Sequence, residues 1–598
     1  MPNEIYHRSE WGNPKAEGFG DVYFDAAATN KLYNHSDNYE NSDGTDKILR
    51  DIPNKASIVL TPTAYSDGSL NTVIPTDGNG DFNFSRGSSA TRVNEQGLVE
   101  DVQILSGELV QNGNFDTDSD WSKDSGWSIE DGKAIALNTL NRISQSFSTT
   151  TSSVYKVTFT VLDYVSGDIK VQFTGGTTVN SDWYNDNGTF IVYLTALSGN
   201  NLLAFKGRNG AEFTGSIDNI SAVEVTDDTD LPRIDFTDGT GSLLLEPSRT
   251  NVIPYSQDFS NSAWTKERAT ISANTNTSPD GSVNASKIIE NTANGSHSIY
   301  EGVAISNNIY TFSCFVKKSD RDYCFLQIIT NLGRYTAVFD LVNGVVTDTQ
   351  TFSSPTNTSN KIEDYGNGWY RVSVTSSNTA STTGFFQVGL SNSANPSYSG
   401  LKQPTYTGDG SSSVQIWGAQ VEAGNYPTSY IVSNSGSTTT RSADVANNSG
   451  NADLFNDSEG VLYAEIASLV GDEDGSFYTD ARVLSISNGT ANEYIEISLR
   501  ANKIRFQSVS ASGGLVKDVV IDRDGEFDKL AIQYKSNDYK IYINGVSQTI
   551  TQTTGTPSGL NSLQFEYSGG GLNFYGKVKS LAVFKEALTD EELQALTT

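Results

Sequence analysis

Trp183-Tyr184, set between Asn180 and Asn187, is the pair in this chain best placed to hold a sugar. A pyranose presents a C–H face that stacks on an exposed aromatic ring, while amides and carboxylates take its hydroxyls. Trp121 and Trp127 precede the pair; Trp264, Trp369-Tyr370 and Trp417 follow it. Every tryptophan except Trp11 falls between residues 108 and 435. Packing competes with binding at each one. Trp121 and Trp264 hold matching places in two similar phrases, Trp417 lies in an alternating strand, and Trp369-Tyr370 must turn one ring inward. The candidate binding residues are Trp183, Tyr184, Trp127, Trp369 and Tyr370, with binding and packing standing equal even at Trp183-Tyr184.

Catalytic constellations are sparse. His7, His35 and His297 sit in turn-rich surroundings without metal-ligand spacing and read as surface residues. No nucleophile elbow and no phosphate-cradling loop occurs. Glycoside hydrolysis needs only two carboxylates. The nearest acidic strand, Glu493-Tyr494-Ile495-Glu496, has its glutamates three apart, on opposite faces. The chain therefore reads as a non-enzyme.

The net charge of −31 argues against nucleic acid as a partner, because phosphate binding needs a basic surface, and equally against anionic membranes. It suits a self-repelling, solvated exterior; calcium sites, or avoidance of a negatively charged cell envelope, are the sharper readings. The N-terminus has neither the basic nor the apolar region of a signal peptide, and no apolar run is long enough to span a bilayer. Cys314 and Cys324 can face each other across a hairpin turning at Ser319–Asp322, as two core thiols or as a disulfide.

A chain of 598 residues exceeds one core, and its 53 glycines, abundant Ser, Thr and Asn, and short alternating runs predict an all-β array of sandwiches. Residues 1–82 are irregular, with short strands at Asp21–Phe24 and Ala56–Leu60 and a polar turn cluster at Asn34–Asp46. They cannot bury much core alone and should dock on something else, with Tyr6, Trp11, Tyr23 and Tyr33 as anchors. Residues 83–107 and 227–251 should pair, Asp81–Ser85 beside Arg233–Thr237, into a neck. Residues 108–226 and 252–440 read as two related modules with the same opening phrase and closing strand. A Ser/Thr/Asn/Gly linker from Ser433 to Asn451 leads to a last domain, 453–598. In it Asn544-Gly545 predicts a type I′ hairpin and Thr589 with Glu592 a capping box.

Three resemblances follow from these residues. Phe84-Ser85-Arg86-Gly87-Ser88-Ser89-Ala90-Thr91-Arg92-Val93, continuing to Val99, and Leu243-Leu244-Leu245-Glu246-Pro247-Ser248-Arg249-Thr250-Asn251, running on to Trp264, resemble two halves of a segment that recurs in bacteriophage virion proteins. There the halves lie close together; here residues 108–226 stand between them. The two modules resemble carbohydrate-binding-module jelly rolls. The ending Phe574–Leu593 resembles the closing strand and helix of the concanavalin-like/laminin-G sandwich family. The jelly-roll resemblance implies a structural calcium held by Asp116 in the opening phrase and Asp218 in the closing strand, whereas Trp417 stands near the second place of Asp218. Asp472-Glu473-Asp474-Gly475 is a further acidic turn.

The resemblances imply a bacteriophage structural protein: a fibre, tail or capsid-decoration component on the virion surface, made in the host bacterial cytoplasm. It would dock on other virion proteins through the N-terminal segment and bind host or environmental glycans. Phage fibres favour a homotrimer, although no heptad run enforces one. The alternatives are a glycan-degrading depolymerase and an architectural spacer without a ligand.

Overall fold

The computed structural model describes residue 52 and residues 55–469, 482–500, 503–521 and 526–598. The anchors and strand expected before residue 52, His7 and His35, and the Asp472–Gly475 turn lie outside these. The regular secondary structure of the described residues is almost wholly strand, arranged in separate sheets, with one α-helix, Asp590–Thr597. None of its helices is long and apolar enough to cross a membrane.

The inserted module is a sandwich of two sheets. Gly188–Thr195, Val154–Ser166, Phe213–Asp227, Lys133–Thr139 and Trp127–Glu130 form one, with Ile104–Leu105 against its long closing strand. Val179–Asn180, Ile169–Thr174, Leu202–Gly207, Arg142–Ser146 and Ser122–Lys123 form the other. Period-two alternation turns Tyr155, Val157, Phe159 and Val161 inward to meet Val171, Phe173, Leu203 and Phe205. Each such buried side chain contributes about 1.5–3 kcal/mol.

The second module packs two six-stranded sheets, whose middle strands include Asn308–Lys318 in one and Tyr323–Thr330 in the other. The expected hairpin is therefore a crossing between layers: Ser319–Asp322 carries the chain from sheet to sheet. Cys314 and Cys324 are free and buried, and burial pushes the Cys314 thiol up to about 12.

The two modules close alike. The Trp121 indole N–H donates to the Asn112 carbonyl at 3.0 Å, and the Trp264 indole to the Tyr255 carbonyl at 2.9 Å. In the closing strands Asn219 and Gly418 take φ of 52° and 62°, and the next amides, Ile220 and Ala419, each donate at 2.8 Å to Gly113 and Ser256 of the opening phrase. A bulge in a closing strand thus hooks the opening loop in both.

The last module has a five-stranded sheet, Gly513–Val520, Lys503–Ser510, Tyr494–Arg500, Arg482–Ser487 and Ser562–Gln564. It faces a larger sheet centred on Gly576–Phe584 and Glu459–Ser468. Asn544-Gly545 turns a hairpin with positive φ at both residues, and Thr589 with Glu592 forms the capping box. The larger sheet recruits distant sequence. Ala56–Leu60 pairs with the second half of Gly576–Phe584, and Ser242–Leu245 pairs with its first half. Ile58, Val59 and Leu60 are fully buried there. The docking expected of this strand is thus onto the chain's own last module.

The halves of the split segment do not pair strand to strand as expected. Phe82–Ser85 pairs with Ser69–Leu70 and Val445–Asn447, whereas Arg233–Asp235 pairs with Ser242–Leu245. Nor is Ser433–Asn451 a free linker, since Thr439–Arg441 pairs with Arg249–Asn251. The pieces meet through buried charge. Arg86 donates to Asp444 at 3.3 Å and to the Leu231 carbonyl at 2.7 Å. Arg233 bridges Glu246, at 2.6 Å, and Asp444; Arg441 donates to Glu246 and to the Pro247 carbonyl. Ser429 donates its N–H and its hydroxyl to Glu246 at 2.8 and 2.7 Å. Burial alone would raise the Glu246 carboxyl, but Arg441, Arg233 and Ser429 outweigh it and hold it well below the usual range. Burial lowers the Arg86 guanidinium to about 10 despite Asp444.

Candidate functional site

Of the predicted aromatic positions, two are sealed in cores. Trp127 donates its indole N–H to the Asn141 carbonyl at 3.2 Å and packs near Phe213. Trp369 donates to the Thr277 carbonyl at 3.1 Å and packs in a cluster with Val93, Phe315, Trp417 and Tyr430. Both are corrected to packing residues, because their strand phase turns the rings inward. Tyr370, next along the strand, is half-buried against the second core and against Gly344.

Trp183-Tyr184 divides its two rings between inside and outside. Tyr184 exchanges backbone hydrogen bonds with Ile169, its N–H donating at 2.7 Å and its carbonyl accepting at 2.9 Å. Its ring packs 4.5 Å from Phe190 and 5.4 Å from Phe159, and burial drives its hydroxyl well above the usual range. This pinning turns Trp183 the other way. Among the described tryptophans, Trp183 alone is half-buried, the others being buried. The Lys170 ammonium lies 4.6 Å from its ring centroid and the Arg208 guanidinium 5.5 Å. Each such cation–π contact at an exposed ring contributes about 0.5–1 kcal/mol and fixes the plane of the indole.

The sheet beside Trp183 carries a polar outer face. Ile169, Val171 and Phe173 point to the core; on the other face Lys170 and Thr174 are half-buried and Gln172 is buried. Across the sheet Lys170 stands opposite Lys206 and Lys206 opposite Arg142; the next row is Gln172, Ala204 and Ser144. The arrangement offers an aromatic platform, a small residue beside it, and donors for hydroxyl or acidic oxygens.

A second concavity of about 590 Å³ opens between the inserted and second modules. Glu100, Asp101, Asp227, Asp228 and Asp280 line it, with Lys156, Tyr193 and Trp417. Burial pushes the Asp101 carboxyl up to about 6, against Lys156 and the Tyr193 hydroxyl. The Trp417 indole N–H and Asn284 Oδ1 have no hydrogen-bond partner. This cleft was not legible in the sequence, because its lining comes from segments scattered between Ser89 and Asn434.

Asp116 is exposed and accepts from the Asn114 amide at 2.5 Å; Asp218 accepts from the Asn219 N–H at 2.7 Å. Among the described residues no group of three or more His, Cys, Asp or Glu side chains is disposed to hold a metal ion. His297 is fully buried rather than on the surface, its Nδ1 2.9 Å from the Arg268 carbonyl and its ring stacked near Tyr406. Glu493 accepts from the backbone N–H groups of Ala511 and Ser558, while Glu496 sits 3.7 Å from Arg500, so the two do not form a facing pair.

The C-terminal sandwich, with its closing strand and helix, has a relative. Residues 473–594 match the concanavalin A-like lectin/glucanases superfamily. This lectin-like module is the part of the chain that the match spans. Among solved structures, the chain is similar to the CBM40 of a Ruminococcus gnavus sialidase bound to α2,6-sialyllactose, at 17% identity over 25% of this chain and 94% of that one, with a TM-score of 0.20. It is similar to the CBM22 tandem of Paenibacillus barcinonensis Xyn10C at 8% identity, over 54% and 98% of the two chains, with a TM-score of 0.18. It is also similar to domains LG4-5 of the mouse laminin α1 chain at 10% identity, over 49% and 92%, with a TM-score of 0.17. No curated protein sequence matches the chain.

Proposed function

We propose that this protein binds glycans without cleaving them, and that a sugar ring stacks on Trp183. The observation that carries this reading is the pair at 183–184: Tyr184 packs its half-buried ring against the core, and its neighbour, also half-buried, lies on the other side beneath Lys170. A lectin-like C-terminal sandwich supports it. The likeness of residues 84–99 and 243–264 to a recurring bacteriophage segment supports placing this binder on a virion. A glycan array probed with the whole protein and with Trp183→Ala tests the binding. Glycan signals lost in the variant support it; signals equal in both refute it.

One observation favours a second reading. In the inter-module cleft Asp101, pushed up to about 6, shares the lining with Asp227 and Asp280. A raised carboxyl beside further carboxylates is the arrangement glycoside hydrolysis uses. Release of reducing ends from a bound polysaccharide, abolished by Asp101→Asn, would establish that reading in place of the first.

A further inference from the structure

The outer face beside Trp183 departs from the charge of the molecule that carries it. The chain has 71 acidic residues against 40 Lys and Arg. Yet Lys170, Lys206 and Arg142 stand directly opposite one another on three adjacent strands, Ile169–Thr174, Leu202–Gly207 and Arg142–Ser146. Neighbouring strands lie about 4.8 Å apart, so the three cations form a row roughly 10 Å long. Like charges directly opposite in a sheet are destabilising. Arg142 has Asp124 at 3.7 Å and Arg208 has Asp168 at 2.9 Å. Among the described residues Lys170 and Lys206 make no ion pair with a carboxylate; the Lys170 ammonium instead lies over the Trp183 ring. Burial, and then Lys206, lowers the Lys170 ammonium below its ordinary value.

The row next to the cations is small and polar. Gln172, Ala204 and Ser144 stand in register, with Ser122 beyond Ser144. Gln172, Ala204 and Ser144 are buried, so this row forms the floor of the face, and Ser122 is its exposed end. The trough, the cation row and the Trp183 platform meet at Lys170.

Resting on the glycan reading above, we propose that this face selects anionic saccharides. The ring would stack on Trp183, and the acidic group would lie between Lys170 and Lys206. The shared chemistry is an oxyanion on a sugar, whether a ring carboxylate or a sulfate ester. Such a ligand supplies a counter-charge that the described residues do not place there.

The test uses the whole protein, titrated with an oligogalacturonate hexamer, its fully methyl-esterified form, and a sulfated hexasaccharide. The acid oligomer, the sulfated one, or both should bind at least roughly tenfold more tightly than the ester, and the difference should shrink with added salt. Which acid form is preferred identifies the source of the oxyanion. The double substitution Lys170→Gln/Lys206→Gln should bring the acidic ligands to the level of the ester. Equal binding of acid and ester, or acid binding unchanged in the double variant, overturns the anionic selectivity. If the ester binds equally and Trp183→Ala removes it, the glycan reading stands and only this inference falls. If no saccharide binds in any form, both fall.

Discussion

Arg86 and Asp444, 358 residues apart in sequence, form an ion pair with both side chains fully buried. The pair ties the first half of the split segment to the strand leaving the second module. Through Asp444 it also reaches Arg233 and the backbone N–H of Glu246. A buried pair is weak evidence for net stability, but removing one partner leaves the other charge stranded. Asp444→Asn, which leaves Arg86 and Arg233 without their shared carboxylate, should lower stability by about 3–5 kcal/mol. Urea unfolding monitored by tryptophan fluorescence checks this, and a change under about 1 kcal/mol would show that the network is dispensable.

Acid should loosen the same centre. The Glu246 carboxyl is held below its unfolded value, so its stabilisation is fully present above about pH 4.5 and is lost as pH falls below that. Thermal melts from pH 7 to pH 3 should show a falling Tm over the acid limb. Glu246→Gln should start lower at pH 7 and flatten that limb.

Glu301 should behave in the opposite sense. Its side chain lies in the second module, 4% exposed, with Oε2 unpartnered, and burial raises its carboxyl to about 7. The folded state therefore holds this proton more tightly than the unfolded one. Stability from this group is greatest below about pH 4.5 and declines as pH rises toward 7. Glu301→Gln should raise stability at pH 8 by on the order of 1–2 kcal/mol and leave it nearly unchanged at pH 4. An equal effect at both values would place the carboxylate in solvent.

The matched indoles give a third stability test. Trp121 and Trp264 each donate to a carbonyl nine residues upstream and pack on Phe115 and Phe259 at 5.3 and 5.2 Å. Trp121→Phe and Trp264→Phe should each cost roughly 1–3 kcal/mol, from the unpaired carbonyl and the lost ring volume. Calorimetry of the two variants should show similar losses; a silent change at either site would break the structural equivalence.

Much of the architecture was legible because it is local. Asn544-Gly545 marked the hairpin turn, and Thr589 with Glu592 marked the helix start. The shared opening and closing phrases revealed the repeat. What was missed depends on pairing between remote segments. Nothing within Ala56–Leu60 says that it completes a sheet with residues 581–584, and nothing within Ser319–Asp322 says that the chain there changes layers. The Lys170–Lys206–Arg142 row likewise exists only through register. For Trp127 and Trp369 the residue type was informative, but strand phase, set by the core, decided against ligand access.

Calorimetric titration of the whole protein with the strongest array glycan, beside Trp183→Ala, tests the central claim most directly. The account predicts a saturable isotherm for the wild type, weakened by about tenfold or more in the variant, with both unfolding at the same temperature. An unchanged isotherm in Trp183→Ala would contradict it.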